Sequence, residues 1–162
     1  MMRKWINLCE VRAYHGSRSN NRFIIGHTGN NSAGILGQYD SKRHGVFFTD
    51  NPEFASMYGT VKQYELNIHH TVDLDKSNII HEFRNSLDPF DRNGGRELWL
   101  EAMYGCKQAW RFFENEVGEN FVRYLLEEGY DSATFTEYNE EFEKEHKSHT
   151  IVVFDPSLIY PV

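Results

Sequence analysis

Gly45-Val46-Phe47-Phe48-Thr49-Asp50-Asn51-Pro52-Glu53 is the stretch that orients the rest of the chain. Four apolar or β-favouring residues in a row, opened by Gly45, make a compact strand. Asn51 then offers a side-chain oxygen to the first free amides of a helix, and Pro52 brings a preset φ to its first position. Glu53 adds a negative charge in the first turn. The short helix this predicts ends at Gly59, a residue that tolerates the left-handed conformation after a helix. One strand thus passes directly into one helix.

Working outward, residues 10–14 read as a short strand that stops at His15-Gly16-Ser17. Residues 18–43 are polar and rich in Gly and Asn, interrupted by Phe23-Ile24-Ile25 and Ile35-Leu36. Past Gly59, residues 61–68 alternate, with Tyr64, Leu66 and Ile68 on one face, which predicts a strand. The middle, 78–129, reads as mainly helical, with helices expected over 96–104, 107–116 and 119–128, the last closed by Gly129. Two more strands are expected at 132–136 and 150–154, the second ended by Asp155-Pro156. Between them, 137–147 carries five Glu and reads as a solvated hairpin tip, not core. Strands near both ends around a helical middle make an α+β chain.

Composition sets outer bounds. A length of 162 residues fits one domain, 1–162, with no repeat and no linker. With 24 acidic and 17 basic residues the net charge is −7, so global charge will not hold a nucleic-acid backbone. Forty per cent hydrophobic residues, with 15% aromatic, suffice for a core and exclude disorder. No run approaches a membrane span or a secretory signal. Cys9 and Cys106 have no metal spacing and read as reduced thiols of a cytoplasmic protein. No P-loop, nucleophile elbow, zinc spacing or Gly-x-Gly-x-x-Gly fingerprint is present, which counts against a kinase or a Rossmann dehydrogenase.

Four blocks, in order along the chain, carry a resemblance. Tyr14-His15-Gly16-Ser17-Arg18 resembles the first motif of the ADP-ribosyltransferase superfamily, in its diphtheria-toxin and poly(ADP-ribose) polymerase branch. Gly45-Val46-Phe47-Phe48-Thr49-Asp50 with Ala55 and Tyr58 resembles the second, an aromatic strand followed by a helix with an inward Tyr. Gly129-Tyr130-Asp131 and Ile151-Val152-Val153-Phe154-Asp155-Pro156-Ser157 resemble the closing part of phage-encoded and effector-type mono-ADP-ribosyltransferases. The resemblance implies a split, mainly antiparallel sheet around an NAD cleft, with a helical insertion. It implies NAD as co-substrate, no metal, and transfer of one ADP-ribose to a protein target, with nicotinamide leaving. An effector modifying a host protein fits a stand-alone domain of this kind; if phage-encoded, it would act in the host cytoplasm.

The roles implied make chemical sense. Nicotinamide in NAD is a flat cationic ring, suited to a slot made by Phe47 and Tyr58. Gly16, without a Cβ, lets the backbone approach the carboxamide, with Ser17 beside it. His15 would bind a ribose hydroxyl and Thr150 stands at the family's catalytic position. Two departures matter. Phe47 replaces the usual Tyr, keeping the stack but losing a phenolic hydrogen bond. Thr150 replaces the usual Glu, and a hydroxyl does not bring the charge that an oxocarbenium-like state demands.

Three readings of that second departure stay open. A Glu from the adjacent segment, Glu137, Glu140 or Glu141, brings the charge from another direction; Thr150 or the substrate does the work; or the site binds NAD or ADP-ribose without chemistry. The rival function is therefore a catalytically silent inhibitor or binding module that docks on a partner protein. Transfer to nucleic acid, or removal of an RNA 2′-phosphate, would need a local basic patch, with Arg18, Arg22, Lys42 and Arg43 as the candidates.

Ordinary explanations exist for most of these residues. Phe47 and Phe48 alternate faces, so one of them belongs to the core. Tyr58 suits helix packing, and Thr150 suits a strand start. Arg18 suits a solvated loop, and Asn30-Asn31-Ser32-Ala33-Gly34 a plain flexible one. His69, His70, Asp73 and Asp75 are spaced too irregularly for a metal cage. Trp110, Phe113 and Val117 have core spacing on a helix.

Overall fold

The computed structural model describes residues 10–17, 28–30, 40–87, 109–139 and 146–162. The expected helix at 96–104, the loop at 30–34 beyond Asn30, and Arg18, Arg22, Cys9, Cys106, Glu140 and Glu141 lie outside them.

β1 (Glu10–Ser17) continues through the His-Gly-Ser triplet that the sequence suggests as its stop. β2 (Thr28–Asn30) and β3 (Asp40–Lys42) pair with each other in a separate two-stranded ribbon. β4 (Val46–Thr49) passes into α1 (Pro52–Ser56), whose first amides, Glu53 N–H at 3.0 Å and Phe54 N–H at 3.4 Å, donate to Asn51 Oδ1. Gly59 follows at φ 130°, where a side chain would be strained. β5 (Thr60–Asn67) and β6 (Thr71–Asp73) precede α2 (Ile79–Ser86).

Residues 107–116 are expected as one helix, but the structure has a 3-10 turn at Ala109–Phe113 and then α3 (Asn115–Glu127). The physical reason is a competing bond. Phe113 O accepts from His44 N–H at 2.8 Å, and Arg43 bridges Glu114, which is extended at φ −105°, ψ 144°. The chain straightens there before α3 begins. β7 (Ser132–Asn139), β8 (His146–Val153) and β9 (Ile159–Pro161) complete the elements.

The main sheet has seven strands in the order β6-β7-β8-β4-β1-β5-β9. Every pairing is antiparallel except β6 with β7. The chain is therefore α+β with a mainly antiparallel sheet. Register assigns the faces, because directly paired residues share one. Gly16, Phe47, Thr49, Val152, Thr150, Ala133 and Phe135 lie on the first face. His15, Phe48, Tyr64, Ile151 and Val153 lie on the second.

Each face has its own core. On the first, Val72, Ala133, Phe135, Val152 and Phe154 pack with Phe83 of α2, Phe112 and Phe113 of the 3-10 turn, and Phe121 and Leu125 of α3. Phe113 stacks on Phe135 at 6.1 Å and on Phe154 at 6.2 Å. On the second, Ala13, Val46, Phe48, Leu66, Ile68 and Val153 close together. Among the described residues no helix is long and apolar enough to cross a membrane.

Candidate functional site

The three strands that carry the motif residues, β8, β4 and β1, are consecutive neighbours at the centre of the sheet. β4 pairs with β8 along its whole length, from Val46↔Val153 to Thr49↔Thr150. Against β1 it has a single registered pair, Tyr14↔Thr49. Beyond that pair a side chain makes the link: His15 Nδ1 lies 2.7 Å from the Phe47 carbonyl oxygen.

That contact fixes the imidazole. A carbonyl only accepts, so Nδ1 carries the proton and donates it, which leaves Nε2 with the lone pair in the neutral ring. The ring sits on the second face, 5.6 Å from Phe48 and 6.4 Å, edge-on, from Tyr64. Burial holds its pKa below the usual 6.5; the Phe47 carbonyl pulls it back up, and the Arg43 guanidinium pushes it further down. His15 is thus held as a neutral ring with an acceptor nitrogen.

Gly16 faces the other way. A Cβ at this position would fall inside the Ala55 carbonyl, so α1 lies directly on the bare backbone of β1. Close approach is what the missing side chain allows here, and the group that approaches is the protein's own helix. Tyr58 follows that helix, partly buried, with its ring 6.0 Å from Phe54. Ser17 ends β1, paired with Thr60.

Phe47 is the less buried of the two strand aromatics. Its ring meets Phe113 at 5.8 Å and Phe135 at 6.2 Å, both edge-on, and the Arg43 guanidinium lies over it, 4.9 Å from the centroid. The His15 and Phe47 rings therefore leave opposite faces of the sheet. The structure brings His15 to the Phe47 backbone, and places Gly16, Phe47 and Thr150 on the first face together.

Thr150 is 2% exposed. Its hydroxyl is 3.1 Å from that of Ser148, which in turn bonds the Thr49 hydroxyl, so three buried hydroxyls form a chain across β4 and β8. Thr49 Oγ1 also accepts from Asn51 N–H at 3.1 Å.

Glu137 requires a correction. The sequence places it in a solvated acidic tip, whereas it is 9% exposed, inside β7 and opposite Ser148. β7 runs to Asn139, so the alternation Ala133-Phe135-Glu137 carries the carboxyl onto the first face. Burial pushes its pKa up to about 7, against a smaller opposing pull from Arg43. Three features of this face were missed in the sequence: the buried Glu137, the hydroxyl chain, and Arg43 over Phe47. The two-residue period after Ser132 held the signal for the first.

His69, His70, Asp73 and Asp75 have structural partners. Asp131 accepts from His69 N–H at 2.8 Å and from His70 N–H at 3.3 Å, and Asp75 accepts from the Thr136 hydroxyl at 2.7 Å. Asp73 Oδ1 accepts from Asp75 N–H at 3.0 Å. Among the described residues no group of three or more His, Cys, Asp or Glu is placed to share a metal ion.

No family model matches the chain, and no curated protein does. Among solved structures it is similar to the crystal structure of an anti-CRISPR protein, at 14% identity and a TM-score of 0.42, over 94% of this chain and 96% of that one.

Proposed function

We propose that this chain transfers a single ADP-ribose from NAD to a protein target, with nicotinamide leaving, on a split ADP-ribosyltransferase-like sheet around an NAD cleft. The observation that carries the reading is the adjacency of β1, β4 and β8. Segments far apart in sequence, each quoted above for its resemblance, are neighbours at the centre of one sheet.

The chemistry of the residues supports the same reading. His15, neutral with its proton on Nδ1, lies on the second face and acts on the first-face residues Gly16, Phe47 and Thr150 through the Phe47 carbonyl that it holds. The half-buried Phe47 ring, packed against the core, already takes the Arg43 guanidinium over its face, the kind of flat cation that an aromatic ring attracts. Tyr58 follows the helix mounted on Gly16, and its N–H donates to the same Ala55 carbonyl that lies over that glycine. Breaking the bond between nicotinamide and ribose sends the electron pair to nicotinamide and leaves a cation on the sugar. The protein's part is to hold the two halves in place and offset that charge.

One observation favours a second reading. Thr150 is buried, with its hydroxyl engaged by Ser148, so the position that resembles the catalytic one is closed off by the chain itself. A silent inhibitor or NAD-binding module that docks on a partner protein would look the same there.

Calorimetry with NAD, with nicotinamide release followed in the same sample, separates the two. Binding with release, alone or on addition of a host lysate, is the expected result. Binding that never leads to release assigns the module; no binding overturns the transferase reading.

A further inference from the structure

The ring that the candidate site needs bare is covered by the chain itself. Phe47 lies on the first face of the sheet, and the Arg43 guanidinium sits over it, 4.9 Å from the centroid. We propose that this contact is autoinhibitory: Arg43 stands in for the cationic ring of NAD on Phe47 in the free protein, and NAD binds as the guanidinium swings away.

This rests on the transferase reading above and adds the regulation of the same site. Four observations carry it. Phe113 and Phe135 pack against the Phe47 ring from the core and hold it in place, while both Phe47 and Arg43 remain only partly buried. A guanidinium and a pyridinium are both flat, delocalised cations, so one aromatic face attracts either and holds one at a time. Phe47 belongs to the part of β4 that has no registered pair with β1, where His15 alone reaches across to its carbonyl. The Arg43 charge is felt there, since it pushes down the proton affinity of His15 as well as that of Glu137 on β7.

The backbone beneath the guanidinium is pinned. Arg43 is bridged to Glu114, and the next amide, His44 N–H, donates to Phe113 O at 2.8 Å. A long side chain on a fixed backbone exchanges one staggered rotamer for another, so uncovering the ring asks for no rearrangement of the sheet. The cost falls on the ligand. Its apparent affinity is reduced by the fraction of molecules in which Phe47 is uncovered, and a cation–π contact at such a site makes that factor about 2- to 30-fold.

The test uses the intact chain and NAD itself. Arginine side chains are isotopically labelled, and the Arg43 Hδ resonances, assigned by their loss in Arg43→Ala, are followed as NAD is added. The ring current of Phe47 is expected to shift them upfield in the free protein, and Phe47→Leu to return them to the ordinary arginine position. Saturating NAD is expected to bring the same return. An upfield shift that persists with NAD bound, or one that is absent from the free protein, overturns the proposal and leaves the transferase reading standing. Calorimetry runs in parallel. Arg43→Ala and Arg43→Gln, each checked by its thermal melt, are expected to bind NAD about 2- to 30-fold more tightly than wild type. Binding seen in the variants alone is the extreme of that result. Equal affinity in a folded variant overturns the proposal, and weaker affinity does so by making Arg43 a residue that holds NAD. Failure of NAD to bind wild type and variants alike overturns both readings.

Discussion

A buried carboxyl that holds its proton more tightly in the folded chain than in the unfolded one makes stability fall as pH rises. Glu137 has an ordinary value of 4.5 and a folded value of about 7, so the folded state binds the extra proton between those limits. Stability is expected to drop across that window and level off above it, by on the order of 3 kcal/mol in all. Glu137→Gln removes the drop: urea melts should show it more stable than wild type at pH 8 and close to it at pH 4. An equal gap at both pH values would mean that folding does not shift the group, and a wild type that gains on Glu137→Gln from pH 4 to pH 8 would mean that an ion pair, not burial, governs it. His15 acts on the acid side. Its folded pKa lies below 6.5, so the unfolded chain takes up the proton first and stability falls as pH drops below about 6.5. His15→Gln keeps an N–H for the Phe47 carbonyl and should flatten that limb in the same melts. Single residues were unequally legible. His15-Gly16-Ser17 stands out in the sequence. Glu137 does not, because counting five Glu in eleven residues hides that the first of them still keeps the strand period of Ala133 and Phe135.

Elements follow their local signals closely wherever the signal is a cap or a period. Asn51, Pro52 and Gly59 mark α1 in the sequence, and the structure uses each of them as expected. Gly129 likewise ends α3 at φ 93°. What the local code omits is the partner. Nothing in residues 10–18 says that α1 will rest on Gly16, yet that contact sets where Tyr58 can be. Gly16→Ala is expected to lose about 1–3 kcal/mol, since the new methyl must push the Ala55 backbone away. Asn51→Ala, which removes the two cap bonds without disturbing the mount, is expected to lose about 1 kcal/mol. Chemical denaturation measures both. On the transferase reading Gly16→Ala also weakens NAD binding in calorimetry, whereas Asn51→Ala leaves it nearly unchanged. The 3-10 turn at Ala109–Phe113 teaches the converse, since a distant amide, His44 N–H, overrides a helical pattern by taking the Phe113 carbonyl.

At the scale of the whole molecule, strands near both ends and helices between them were enough to read α+β, but the strand order was not legible. β8 lies against β4 although most of the chain separates them, and no periodicity encodes a pairing at that distance. The consequence is mechanical. β8 contributes Val152 to one core and Val153 to the other, and β4 does the same with Phe47 and Phe48. Two cores that share their central strands have no separate way to melt. Phe48, 1% exposed and touched by His15 and Tyr64, is the point at which to test this. Phe48→Ala is expected to cost about 3–5 kcal/mol. The loss should appear as one shifted transition, with near-ultraviolet dichroism moving in step with the far-ultraviolet signal. Should the near-ultraviolet transition stay in place while the far-ultraviolet one moves, the two cores would melt as independent units, and the His15 bond to the Phe47 carbonyl would not couple them.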